Sequence, residues 1–118
     1  MATPTLHHRT PEFESIFAQA RLGLKVMLGM PEVLMLASSG TGAMEAALTQ
    51  LCKSKLLSIS CGKFGQRWGK IAQAHAIPHT EIAREWDTPV SAQEILEALR
   101  ADESIDTIAL QVCESAGG

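Results

Sequence analysis

Apolar positions follow two rhythms along this chain. From Phe13 they recur every three or four residues through Ile16, Phe17, Ala20 and Leu24, which makes one face of a helix. Thr10 suits the cap of that helix, Pro11 its first turn and Glu12 the positive end of its dipole. Gly29 and Pro31 end it. A short apolar run at 33–37 comes next, and it and the segments 56–61, 79–83 and 106–112 are predicted as strands. Helices are predicted between them, over AMEAALTQLCK (43–53), over KFGQRWGKIAQAHA (63–76) and after Ser91. Ser91 and Glu94 form a capping box, and Ile95, Leu96 and Leu99 give its helix an apolar side. Residues 38–42 and 84–90 read as loops. Continuous rather than alternating apolar strands predict an α/β fold with a largely parallel sheet covered on both faces.

Composition narrows the function classes. The 118 residues suit one modest domain, and 46% hydrophobic with 19% charged residues is globular rather than disordered. A net charge of −3 offers no basic field, so nucleic acid is not an expected partner. Cys52, Cys61 and Cys113 are spaced for neither a disulfide framework nor a zinc site; they read as buried thiols in a reducing compartment. MATPTLHHRTPEFE lacks the apolar core of a signal peptide, and no run reaches membrane-spanning length, so a cytoplasmic protein with no membrane partner is expected. VCESAGG closes an apolar run with small loop residues where a doubly wound domain continues into a helix. The chain is therefore read as a lead-in, residues 1–10, and a partial domain, residues 11–118, cut at its C-terminal end.

Three strand-end segments carry candidate chemistry. In LASSGTGAMEAA, small residues between a strand and a helix expose backbone N–H groups that suit phosphate or carboxylate, with Ser38, Ser39 and Thr41 as hydroxyl donors. A capped turn without a ligand is the alternative. Glu45 stands where a dinucleotide fingerprint has its third glycine, and the Gly-Lys-Ser/Thr of a Walker loop is absent. In CGKFGQRW, Phe64 lies between Gly62 and Gly65, either as a ring over a flat ligand or as a core residue beside two solvated cations, Lys63 and Arg67. Glu114-Ser115 ends the last strand on the same side of the sheet, where open α/β sheets bind ligands. His7 and His8 have no further ligands at metal spacing, and no metal site is assigned.

HHRTPEFE, SSGTGAMEAAL, GKFGQRW and CESAGG, in this order over residues 7–118, resemble the fold-type I, class V aminotransferases. The likeness is nearest to alanine–glyoxylate and serine–glyoxylate/serine–pyruvate enzymes and to soluble hydrogenase subunit-like proteins. It implies the doubly wound large domain of three α/β/α layers, pyridoxal 5'-phosphate as cofactor and a homodimer. By motif it assigns Ser39, Gly40 and Thr41 to the phosphate cradle, Phe64 to the ring stacked on the pyridine, and Ser115 to the neighbourhood of the ring oxygen. Ala116 and Gly117 depart from the family's serine and threonine, while His8 and Arg9 match a segment near the active-site mouth. The Schiff-base lysine, the acidic partner of the pyridine nitrogen and the arginine for the substrate carboxylate fall beyond the last residue. None of Lys25, Lys53, Lys55, Lys63 or Lys70 stands in the lysine motif, so this chain contributes no catalytic residue. The resemblance implies part of an aminotransferase that moves an amino group from alanine or serine to glyoxylate or another small 2-oxo acid, inactive as this piece alone. A non-catalytic partner subunit built on the same fold is the alternative.

Overall fold

The computed structural model describes residues 4–86 and 88–115, divided into two units after Ala37. The first unit holds helix α1, Pro11–Leu28. Thr10 is extended and its hydroxyl accepts the Phe13 N–H at 3.3 Å, satisfying a first-turn donor. Gly29 closes the helix in the left-handed conformation, φ 64°, and its N–H and that of Met30 bond back to Val26 and Lys25. None of the α1 residues is buried.

Residues 33–37, predicted as a strand, are not one. A strand needs a partner for its backbone groups, and every ladder among the described residues joins segments between Lys55 and Ala109. The Val33 carbonyl instead accepts from the Arg21 guanidinium, and Leu34 is 84% exposed. Apolar composition marked this run, but composition supplies no neighbour.

The second unit contains α2 (Gly40–Leu51), β1 (Lys55–Ser60), α3 (Gly65–Ala74), β2 (His79–Ala83), α4 (Ala92–Ala101) and β3 (Ile105–Ala109). Its three strands are parallel in the order β2-β1-β3, with Leu57 opposite Thr80 on one side and Ile108 on the other. Central β1 is buried from Leu56 to Ser60, its two serines included, as a strand covered on both faces requires. Leu56 packs with Leu48 of α2 and Ile71 and Ala72 of α3, whereas Ile59 and α4's Ile95 line a cavity together. Right-handed crossovers explain the division. β1 to β2 runs one way and β2 to β3 runs back, so α3 and α4 fall on opposite faces. The result is the doubly wound α/β arrangement expected from the sequence, with three strands where four were predicted.

Two carboxylates pin the connections. Asp106 of β3 accepts the N–H groups of Lys53 and Ser54, at 2.9 and 2.8 Å, fixing the turn from α2 into β1. Glu94 completes the capping box, accepting from the Ser91 N–H at 2.9 Å while Ser91 Oγ accepts the Glu94 N–H. The Ser91 backbone N–H first, then its hydroxyl and the Arg84 guanidinium, hold the Glu94 carboxyl at about 2, below its ordinary 4.5. Because folding depresses this pKa, the stabilisation is complete above pH 4.5 and is lost as the pH falls toward 2. Glu94→Gln is therefore expected to lower the urea midpoint at about pH 7, with the difference from wild type shrinking toward about pH 2. A difference independent of pH would count against this role for the charge.

Candidate functional site

In a sheet ordered 2-1-3, the binding crevice lies beyond the carboxyl ends of the first and third strands. There the chain leaves β1 through Cys61–Lys63 and enters α3 at Phe64 and Gly65, whose N–H groups have no preceding helical turn to bond. Glu114, just past β3, supplies the partner. Its Oε2 accepts from the Phe64 N–H at 3.2 Å and its Oε1 from the Gly65 N–H at 2.5 Å. A carboxylate from one strand thus caps the helix that follows another, at the positive end of its dipole. The glycines make this possible. A Cβ on Gly62 would lie 2.7 Å from the Glu114 carboxyl carbon, and one on Gly65 would lie 2.8 Å from the Ile59 carbonyl oxygen.

The start of α2 forms the second part of the site. Ser39 is extended and its hydroxyl accepts the Gly42 N–H at 3.4 Å, so the helix begins at Gly40 and the predicted loop 38–42 contributes its last three residues to the first turn. Space around Gly40 is open; the close approach is at Gly42, where a Cβ would fall on the Ser38 hydroxyl. In this first turn the N–H groups of Gly40 and Thr41 have no intrahelical acceptor and face the positive end of the dipole outward.

Arg67 joins the two parts. Its Nη1 donates to Thr41 Oγ1 at 2.6 Å, and its guanidinium carbon lies 4.7 Å from the Phe64 ring centroid. Of the expected site residues, Thr41 and Phe64 are therefore linked through one side chain, with Ser39 and Gly40 adjoining Thr41. Phe64 and Arg67 are both half-buried, so the ring is not a core residue and Arg67 is not a solvated cation; Lys63 is exposed. Ser115 is exposed in the turn beside Glu114, at the same edge of the sheet. His75, at the end of α3, meets Glu45 of α2 at 2.6 Å, a second tie between these helices. His8 and Arg9 lie in the first unit, and Ala116 and Gly117 lie outside the described residues.

The cysteines correct an expectation: Cys52, packed against the core, and Cys61 are only half-buried, and Cys113 is exposed. Among the described residues no cluster of three or more His, Cys, Asp or Glu is placed to hold a metal, and no helix is long and apolar enough to cross a membrane. Sequence reasoning left Glu114 and Arg67 without roles. Their signals were a carboxylate directly after a strand end and a cation three residues beyond an aromatic at a helix start.

Known proteins resemble this chain along nearly its whole length. The chain is 54% identical over 115 residues to an "uncharacterized aminotransferase" of Helicobacter pylori (strain ATCC 700392 / 26695), covering 98% of this chain and 31% of that protein. It is 32% identical over 118 residues to the soluble hydrogenase 42 kDa subunit of Anabaena cylindrica, with the same 98% and 31% coverage. Among solved structures, an aspartate aminotransferase of subgroup IV from Thermus thermophilus superposes with a TM-score of 0.78 at 28% identity, over 90% of this chain and 30% of that one. The chain thus spans about a third of the length of these relatives. No family model matches.

Glu114→Ala frees two N–H groups at the start of α3 and is expected to destabilise the complete polypeptide by about 1–2 kcal/mol in urea titration. Glu114→Gln, which keeps an acceptor oxygen, is expected to lose less. Unchanged midpoints in both variants would remove the cap from this account.

Proposed function

We propose, from the premise that this chain is related to the fold-type I pyridoxal-phosphate aminotransferases across nearly its whole length, that it forms the phosphate- and ring-holding part of such an enzyme. The observation that carries the reading is the link from Thr41 through Arg67 to Phe64. It sets an anion-binding helix start and an aromatic face in one frame, which suits a flat ring bearing a phosphate.

The residues fit that group. Free N–H donors of Gly40 and Thr41 and the Ser39 and Thr41 hydroxyls match a phosphate dianion, and the dipole of α2 adds to the attraction. Phe64 carries Arg67 over one face, leaving the other for the pyridine. Ser115 follows Glu114, which is bonded to the start of α3, and its hydroxyl is assigned on this reading to a ring substituent. When bound, pyridoxal phosphate supplies the carbonyl that accepts the amino group and a ring that takes up electron density. The chain's own residues anchor the phosphate, orient the ring plane and keep water from one face of it. On this reading the reacting lysine, the acidic partner of the ring nitrogen and the substrate-binding arginine come from sequence outside these residues. The reaction is transfer of an amino group from alanine or serine to glyoxylate or another small 2-oxo acid, carried out by a cytoplasmic homodimer.

Gly40→Asp in the complete polypeptide tests the phosphate assignment. The open space around Gly40 admits the side chain, and a carboxylate in the first turn of α2 suits the dipole, so the unloaded protein is expected to keep its stability. Affinity for pyridoxal phosphate is expected to fall about 10–150-fold, the equivalent of losing one charge-assisted contact, while pyridoxal binding changes far less. Equal weakening for both ligands would overturn the assignment. Phe64→Leu is expected to weaken pyridoxal phosphate and pyridoxal alike, by about 2–13-fold, in the same absorbance titration. Wild-type affinity for both would show that the ring does not stack.

A further inference from the structure

The Arg67 guanidinium touches both ends of the proposed site without itself being one of its proposed cofactor contacts. We infer that Arg67 is a positioning residue that couples the phosphate end of the site to its ring end, by orienting the Thr41 hydroxyl and by covering the outer face of Phe64. The inference rests on the cofactor reading above.

A threonine hydroxyl has one proton to donate and oxygen lone pairs to accept with. In this structure Arg67 Nη1 donates to Thr41 Oγ1 at 2.6 Å, so the oxygen is engaged as an acceptor and its proton is turned away from the guanidinium. Thr41 is the second residue of α2, and its hydroxyl proton is thereby free for an anion at the helix start. The guanidinium also places a full positive charge one hydrogen bond behind that anion, in a half-buried position where water screens it less.

The second contact comes from helical geometry. Phe64 and Arg67 are three residues apart at the start of α3, so they share a face. The guanidinium carbon lies over the ring, 4.7 Å from its centroid, and so occupies that face of Phe64. A ligand ring is left with the opposite face. Arginine performs both tasks because its planar fork stacks and donates at once; a lysine ammonium is a point charge that does one or the other.

The experiment uses the complete polypeptide and compares pyridoxal phosphate with pyridoxal, both by equilibrium titration. Wild type is expected to prefer the phosphorylated form. Arg67→Met is expected to reduce that preference about ten-fold or more, and Arg67→Lys by a smaller factor of about three. Combining Arg67→Met with Thr41→Val is expected to reduce it little beyond Thr41→Val alone, because the two residues act through one contact. If Arg67→Met fails to fold, Arg67→Lys with Thr41→Val carries the same comparison. Urea midpoints of the unloaded proteins separate loss of fold from loss of positioning. An unchanged preference in the Arg67 variants, or effects that add in the double variant, would overturn the role of Arg67 and leave the cofactor reading standing. A wild type that does not prefer the phosphorylated form would overturn both.

Discussion

Between the end of β3 and the start of α3 stands the Glu114 carboxylate, shared by the N–H groups of Phe64 and Gly65. The rest of the site follows from it. It holds the segment between β1 and α3 against a neighbouring strand, at the crevice that a 2-1-3 sheet opens. With the start of α3 fixed, Phe64 is fixed; Arg67, three residues on, is directed onto the ring and toward Thr41. The same residue brings Ser115 to this edge. Gly62 and Gly65 are glycines because any side chain there meets the carboxylate or the β1 backbone.

This arrangement also divides two helix starts between two tasks. The positive end of α3 is met by a protein carboxylate and is not available to a ligand. Among the described residues the positive end of α2 is met by the Ser39 hydroxyl, at 3.4 Å from the Gly42 N–H, which leaves the Gly40 and Thr41 donors for an external anion. On the proposed reading the phosphate belongs at α2 for that reason. The ring then falls beside Phe64, since Arg67 binds the two helices together at that end.

Most of the second unit was legible in the sequence. Ser91 was readable as a cap and Glu94 as its reciprocal partner, because capping is local chemistry over three residues. Leu56, Leu57 and Ile59, lying on alternate faces of β1, marked a strand covered on both faces. The run at 33–37 misled because pairing is a property of two segments, and one segment's composition cannot reveal the other. The site was legible as a set of loops, with Thr41 and Phe64 among them, but its connectivity was not. Glu114 acts 50 residues from Phe64, and Arg67 acts 26 residues from Thr41. No periodicity records contacts at such separations. The cysteines failed for the opposite reason: residue type suggests burial, yet Cys113 is exposed.

The central claim is that the start of α2 and the face of Phe64 hold one phosphate-bearing ring. A crystal structure of the complete polypeptide with pyridoxal phosphate tests it most directly. The phosphate oxygens are expected within hydrogen-bond distance of the Gly40 or Thr41 N–H and of the Thr41 hydroxyl, with the pyridine on the face of Phe64 opposite Arg67. A phosphate held away from α2, or a ring that does not touch Phe64, would contradict it.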